Sequence, residues 1–199
     1  DVSGIDSIAN YEAKEPAVIG VISLPGNRIL LRDNEQPVIT VLDTATGEPA
    51  YGIEGHDSPA MGALSLPDGR VLSWGGDLRI WDEDKLILNK LSPGNSGPSN
   101  CWVGPDGQIL TAYFDDSVEL WNSADGKSII HLKGYKGASE AVVLSNGGFF
   151  ALCWDTLRIH LPDKPQKRYA IKTRDLTGFP TMFRLADGRI LVWANDIFL

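Results

Sequence analysis

The sequence predicts an all-β fold: a five-bladed β-propeller with four antiparallel strands per blade, its N-terminal strand completing the C-terminal blade. Three observations carry this. One turn signal recurs five times: LPGNR from Leu24, LPDGR from Leu66, GPDGQ from Gly104, LSNGG from Leu144 and LADGR from Leu185, with starts 42, 38, 40 and 41 residues apart. A second landmark follows the first four copies, Leu42-Asp43, Trp81-Asp82, Trp121-Asn122 and His160-Leu161, spaced 39, 40 and 39. Between landmarks, short apolar runs are punctuated by Gly, Pro and Asp, and no amphipathic helical period runs beyond about ten residues.

The repeats run in order over 17–56, 57–95, 96–136, 137–174 and 175–199, the last closed by 1–16, as one domain. In the first, AVIGVIS precedes a turn in which Asn27 stands where the others have Gly; Asn tolerates the left-handed conformation better than most residues. The second shows the whole unit: Met61–Leu66, the turn Pro67-Asp68-Gly69, Val71–Trp74, the turn Gly75-Gly76-Asp77, Leu78–Trp81, a polar stretch to Lys85, and Leu86–Leu91. Asp-Gly between apolar runs is a strong hairpin signal, because Gly accepts positive φ at no steric cost. The third opens on NCWVG after GNSG at 94–97, a turn between repeats rather than a phosphate loop, since no helix follows. The fourth brings EAVVLS and GFFALCW. The fifth supplies Thr181–Leu185, Arg189–Trp193 and Asp196–Leu199, with Ile5–Tyr11 as its outer strand. VLSW, GFFALCW and RILVW are apolar on both faces, as strands stacked between two sheets must be.

The ends match in phase. Leu199 falls one residue short of the position aligned with Trp81, and 23 residues back from Leu24, the distance from Trp81 to Gly104, lands on Asp1. A strand latch there removes open sheet edges. The alternatives are a piece of a larger propeller, or a linear solenoid, which needs polar capping repeats that the sequence does not show.

Composition narrows the function. With 18 basic and 26 acidic residues the net charge is −8 and the isoelectric point about 4.8, which argues against nucleic acid or an anionic membrane as partner. No apolar run reaches 18 residues. Two cysteines without disulfide patterning fit the cytoplasm.

The second repeat resembles the WD40 family. Gly55-His56 precedes the inner strand, Ser65-Leu66-Pro67-Asp68-Gly69 is similar to that family's SPDG turn, and Leu78-Arg79-Ile80-Trp81-Asp82 to its IRLWD strand. The resemblance implies a buried hydrogen-bonded network of His56, Ser73, Asp77 and Trp81. In the third repeat it implies Thr111, Asp116 and Trp121, with Asn122 for the usual Asp. It further implies a rigid, non-catalytic interaction platform.

The chemistry-bearing residues point the same way. His56, His131 and His160 lie at no metal-ligand spacing, there is no Cys-x-x-Cys, and Cys101 and Cys153 sit in apolar runs, so no metal or cofactor is expected. A glycosidase needs two facing carboxylates, and the first strands bring only Glu140. Asp33, Asp77, Asp115, Asp116, Asp155 and Asp196 recur near the turn between second and third strands, where Asp accepts hydrogen bonds from turn amides. That turn face is expected to present Arg32, Trp74, Tyr113, Asp115, Trp154 and Trp193, joined by the inter-blade residues Asn100, Tyr135, Ser139 and Phe179. Aromatics on an acidic rim suit a basic peptide or protein, bound by a monomer if the ring closes. The second reading is carbohydrate or small-molecule binding at the central opening.

Overall fold

The computed structural model of the chain describes residues 18–33, 37–57, 59–92, 96–154, 156–164, 169–172, 181–185, 189–193 and 197–198. The regular elements among them are all β-strands, and they fall in two compact units, Asp1–Leu91 and Ser92–Leu199. In the first unit, β1 (Val18–Leu24), β2 (Arg28–Asp33), β3 (Ile39–Asp43) and β4 (Pro49–Ile53) form one antiparallel sheet in chain order. A second sheet follows from β5 (Gly62–Ser65), β6 (Val71–Trp74), β7 (Leu78–Asp82) and β8 (Lys85–Lys90). The second unit holds a third sheet of β9 (Pro98–Val103), β10 (Gln108–Tyr113), β11 (Ser117–Asn122) and β12 (Ser128–Lys133). Its fourth sheet is β13 (Glu140–Val143), β14 (Phe149–Cys153), β15 (Thr156–His160) and β16 (Tyr169–Lys172). β17 (Thr181–Arg184), β18 (Ile190–Trp193) and β19 (Ile197–Phe198) make a three-stranded fifth sheet. The segment Ile5–Tyr11, expected as its outer strand, lies outside the described residues.

The recurring turn has one geometry. Leu66, Gly104, Leu144 and Leu185 each donate their N–H to the carbonyl four residues on, at 2.7–2.8 Å. Gly69, Gly107 and Gly147 donate back to the carbonyl three residues earlier and take positive φ. Asn27, at φ +58°, holds the left-handed conformation in the first sheet. The turn therefore sets the strand register that the sequence period advertises.

A second recurrence was not visible in the sequence. The outer strand carries a β-bulge at the same place in three sheets, opposite Leu42, Trp81 and Trp121. It leaves Ala50, Ile87 and Ile129 as the extra residue, and all three are exposed. The bulge bends the edge away from regular pairing, one way to blunt an edge strand.

Burial follows strand position. All four residues of β6 are buried, and so are Leu78 to Trp81 of β7, whereas β8 and β12 are largely exposed. Leu30, Val41, Ile53, Val71 and Trp81 share one core in the first unit, and Leu110, Leu120, Val143, Phe149 and Ala151 share another in the second. Each fully buried large side chain contributes about 1.5–3 kcal/mol.

Trp74 shows how tight this packing is. Its indole lies on Gly62, its cross-strand partner, where an added Cβ would sit 2.0 Å from the ring. Gly62→Ala must push the indole off its seat and should cost about 1–3 kcal/mol in chemical denaturation. An unchanged unfolding midpoint would mean that the ring does not sit there.

Candidate functional site

The second sheet holds a continuous buried relay. Trp81 Nε1–H donates to Ser73 Oγ at 2.7 Å, and Ser73 Oγ lies 2.7 Å from His56 Nε2. His56 Nδ1 lies 3.1 Å from Asp77 Oδ1, and Arg79 Nε–H donates to Asp77 Oδ2 at 2.9 Å. The acceptors settle the protons. The Asp77 carboxylate only accepts, so the neutral imidazole carries its proton on Nδ1; Nε2 is then an acceptor, and Ser73 gives it the hydroxyl proton while accepting from Trp81. A neutral ring satisfies every bond. Burial accordingly holds the His56 pKa below its ordinary value, more strongly than the Asp77 carboxylate raises it. At neutral pH the His56–Asp77 contact is thus a hydrogen bond donated by a neutral imidazole to the carboxylate rather than an ion pair.

Strand alternation puts these groups together. Ser73 pairs with Arg79 across the β6–β7 ladder, and Asp77, Arg79 and Trp81 are two residues apart, on one face. Gly55 brings His56 in: at φ +132°, with a Cβ position only 2.8 Å from Arg79 Nη1, no larger residue fits without a shift.

The third sheet has a shorter version. Trp121 Nε1–H donates to Thr111 Oγ1 at 2.9 Å, and Cys101 Sγ lies 3.6 Å from the same hydroxyl. Burial pushes the Cys101 thiol up to about 12, an inert core thiol. Asp116 is not the counterpart of Asp77. Five residues, 113–117, separate the paired Ala112 and Val118, against three, 75–77, between Trp74 and Leu78, so Ser117 takes the register place of Asp77. Asp116 serves the turn instead: at φ +63° its carbonyl accepts from Gly134 and Tyr135 N–H.

Three expected rim residues are interior. Tyr113 is 3% exposed and its hydroxyl donates to Glu119 Oε2 at 2.8 Å; burial, reinforced by that carboxylate, pushes its pKa up. Its ring also stacks near His131. Trp74, on Gly62, is buried. Tyr135 is a core residue beside Phe149, with the Arg158 guanidinium 5.6 Å from its ring. A recurring Trp at a repeat position signals such covered packing as readily as a surface.

Other residues do reach the surface. Arg32 is partly exposed and donates to the Ala60 carbonyl at 2.7 Å, and burial lowers its pKa. Asn100 donates to the Ser139 carbonyl at 3.3 Å and accepts from Cys101 N–H. Asp115 is exposed and accepts from both N–H and Oγ of Ser117, which holds its carboxyl below the usual range. Trp154 is 76% exposed, its indole against Gly137 and the Lys136 ammonium 4.8 Å from its ring. Phe114, which sequence reasoning missed although it stands between two nominated residues, is 63% exposed. Phe114 and Trp154 occupy the second-to-third-strand turns of successive sheets in one unit. Glu140 sits at the start of β13, where burial raises its carboxyl pKa and a Thr181 hydrogen bond only partly offsets this. Phe179 and the side chain of Trp193 lie outside the described residues.

The network makes two tests. Ser73→Ala strands the Trp81 N–H and the His56 acceptor in a dry site and should cost about 2–3 kcal/mol in denaturant unfolding. Because the folded pKa of His56 is depressed, its share of stability is present above the unfolded value, about 6.5, and is lost as pH falls through the folded one. The thermal unfolding midpoint should therefore fall from pH 7.5 to 5.5, less steeply in His56→Gln; equal slopes would exclude His56 as the titrating group.

No family model matches the chain. An alignment 102 positions long, covering 47% of the chain, is 28% identical to telomerase protein component 1 of Rattus norvegicus, of which it spans 4%. Among solved structures the chain is similar to the WD40 β-propeller domain of Doa1, with a TM-score of 0.65 at 16% identity, over 89% of this chain and 60% of that one. The described sheets are thus blades of a β-propeller fold, and the repeats are WD40-like.

Proposed function

We propose that this chain of WD40-like repeats is a non-enzymatic scaffold that binds a protein or peptide through the face bearing the second-to-third-strand turns. One observation carries the reading: Phe114 and Trp154, 63% and 76% exposed, stand on the turns of neighbouring blades beside Asp115. Large rings held on rigid turns give contact area at low entropic cost. Asp115 and Asp116 favour a basic group in the part of the partner that meets blade three. The chain closes as a ring of five blades, with residues 1–16 latching the last, and acts as a monomer.

An exposed tryptophan is also a stacking platform for a sugar ring, so carbohydrate binding is the second reading. The peptide reading is preferred because the turns differ from blade to blade, whereas a lectin-like propeller repeats one pocket. The same face on a longer propeller would serve the same role.

Affinity capture with the wild type, Phe114→Ala, Trp154→Ala, and Ile129→Ser on the opposite, outer strand tests the face. Exposed substitutions leave stability within about 0.5 kcal/mol. Proteins retained by wild type and Ile129→Ser but lost, by tenfold or more, with both face variants are expected. Equal retention by all four would remove the face from consideration, and selective retention of a glycan would favour the second reading. Closure is tested separately: deleting residues 1–12 should lower the thermal midpoint of the whole domain, and an unchanged midpoint would sink the latch.

A further inference from the structure

We propose that Arg32 forms a carboxylate fork at the turn end of blades one and two, open over Gly20, which takes an acidic side chain or C-terminal carboxylate of the partner; the fork rests on the reading of the turn face as partner-binding. Arg32 is the last residue but one of β2, just before the second-to-third-strand turn of blade one. Its Nη1–H donates to the Ala60 carbonyl at 2.7 Å, and Ala60 leads into β5 of blade two. Met61, the next residue, donates its N–H to the Trp74 carbonyl at 2.7 Å, which sets it at the turn end of that blade. The guanidinium thus reaches from one blade to the next within the first unit.

The other arginines of this unit show what Arg32 lacks. Arg28 meets Glu83 at 2.9 Å, Arg70 meets Asp68 at 2.7 Å, and Arg79 meets Asp77 at 2.9 Å. Among the described residues Arg32 has the Ala60 carbonyl and no carboxylate. Its side chain is half-buried, and burial lowers its pKa with no described neighbour to offset the effect. A guanidinium stays protonated all the same, so a partly desolvated positive charge stands without a counter-charge.

Geometry says which edge is free. The Nε and Nη2 edge of a guanidinium carries two parallel N–H bonds that match the two oxygens of a carboxylate. With Nη1 committed to Ala60, that edge is unused. Gly20 is the cross-strand partner of Arg32, and a Cβ added there would lie 3.4 Å from Nε and 3.6 Å from Nη2, nearer than to the rest of the guanidinium. The missing side chain therefore leaves the edge unblocked. Gly20 does not take a positive φ, so the backbone itself does not require glycine at this place. Gly20 is partly exposed, and neither Nε nor Nη2 of Arg32 is among the covered, unpaired polar atoms, so the edge meets solvent. The bond to Ala60 already holds the guanidinium, which lowers the ordering cost of binding. Val18, at the same end of β1, is 36% exposed and Met61 48%, so an apolar residue beside the carboxylate also gains contact.

Three probes test the fork: N-acetylleucine offers a C-terminal carboxylate, acetyl-leucyl-glutamyl amide a side-chain carboxylate, and acetyl-leucyl-glutaminyl amide neither. Each is titrated into the full chain at pH 6.5 and constant ionic strength. Nitrogen–proton correlation spectra follow the Met61 backbone N–H and the Arg32 Nε–H, the latter identified by its loss in Arg32→Lys. A saturating shift with one or both carboxylates and none with the neutral amide is expected, and the tighter carboxylate names the source. Arg32→Lys keeps the charge but loses the fork, and Gly20→Ala fills the edge; each should weaken the carboxylate about tenfold, read at Met61. Equal shifts with the neutral amide, a shift that never saturates, or wild-type affinity in either variant would overturn the proposal. So would a displaced Arg32 Nε–H in Asp33→Asn before any probe is added, since a carboxylate of the chain would then occupy the fork. The titration uses no partner, so its failure leaves the capture comparison of Phe114 and Trp154 standing, and failure of that comparison leaves the titration readable.

Discussion

The Ser73 hydroxyl is the joint on which the second blade depends. It can donate once, and its two neighbours ask opposite things of it: Trp81 needs an acceptor and His56 Nε2 a donor. The accept-only Asp77 carboxylate fixes the tautomer with its proton on Nδ1, Ser73 then meets both neighbours, and Asp77 has one oxygen left for Arg79. Each group is committed by its neighbour, and Trp81, Ser73 and His56 are buried, so a missing member there leaves unmatched polar atoms rather than solvent-facing ones. The tight approach of Gly55 to Arg79 and Trp81 follows from the same demand, because His56 must enter the sheet stack close to both.

The other blades fill these positions differently. Blade three keeps the Trp–hydroxyl bond, as Trp121 to Thr111, and exchanges the Asp–Arg pair for Tyr113–Glu119. Blade four abandons the relay: Ala151 replaces the hydroxyl, His160 the tryptophan, and Tyr135, Phe149 and His160 form a run of contacting rings. Blade one is apolar there, with Leu31 and Leu42. What stays constant is the recurring turn and, in blades one to three, the outer bulge. Turn geometry and register are therefore what builds a blade in this chain, and the buried network is a replaceable filling of the space that results.

This division explains what could be read in the sequence. The turns were legible because their requirement is local: a positive φ after Asp or Asn needs Gly, or at one place Asn27, and nothing distant alters that. The relay of His56, Ser73, Asp77 and Trp81 was legible only through a family likeness, since the residues come from three segments. Arg79, Glu119 and Arg158 recur at spacings of 40 and 39 and were overlooked, because charged residues on a strand read as solvent-facing when their partners are unknown. Tyr113, Trp74 and Tyr135 were misplaced for a related reason. A ring at the end of a strand reads alike whether it caps a core or faces water, and only the sheet stacked against it decides. Asp116 was misplaced by loop length: two extra residues shift a register that composition cannot show.

The same stacking dictates where recognition can occur. All of β6 and Leu78 to Trp81 of β7 are buried, so no side chain there is free to meet a partner. The outer strands of blades one to three are largely exposed but bulged, which discourages regular pairing. The turns remain, and they are stiff: Asp115 closes its loop with two hydrogen bonds to Ser117, and the Trp154 indole rests on Gly137 with Lys136 beside it. Exposed rings on such turns have already lost most of the freedom that binding would remove, so contact with a partner is opposed by little further ordering. An aromatic exposed on a loose loop would face a larger entropic penalty for the same area. The rigidity imposed by core packing is thus what suits Phe114 and Trp154 to the proposed role of anchors, and it ties that proposal to the register of the blades beneath them.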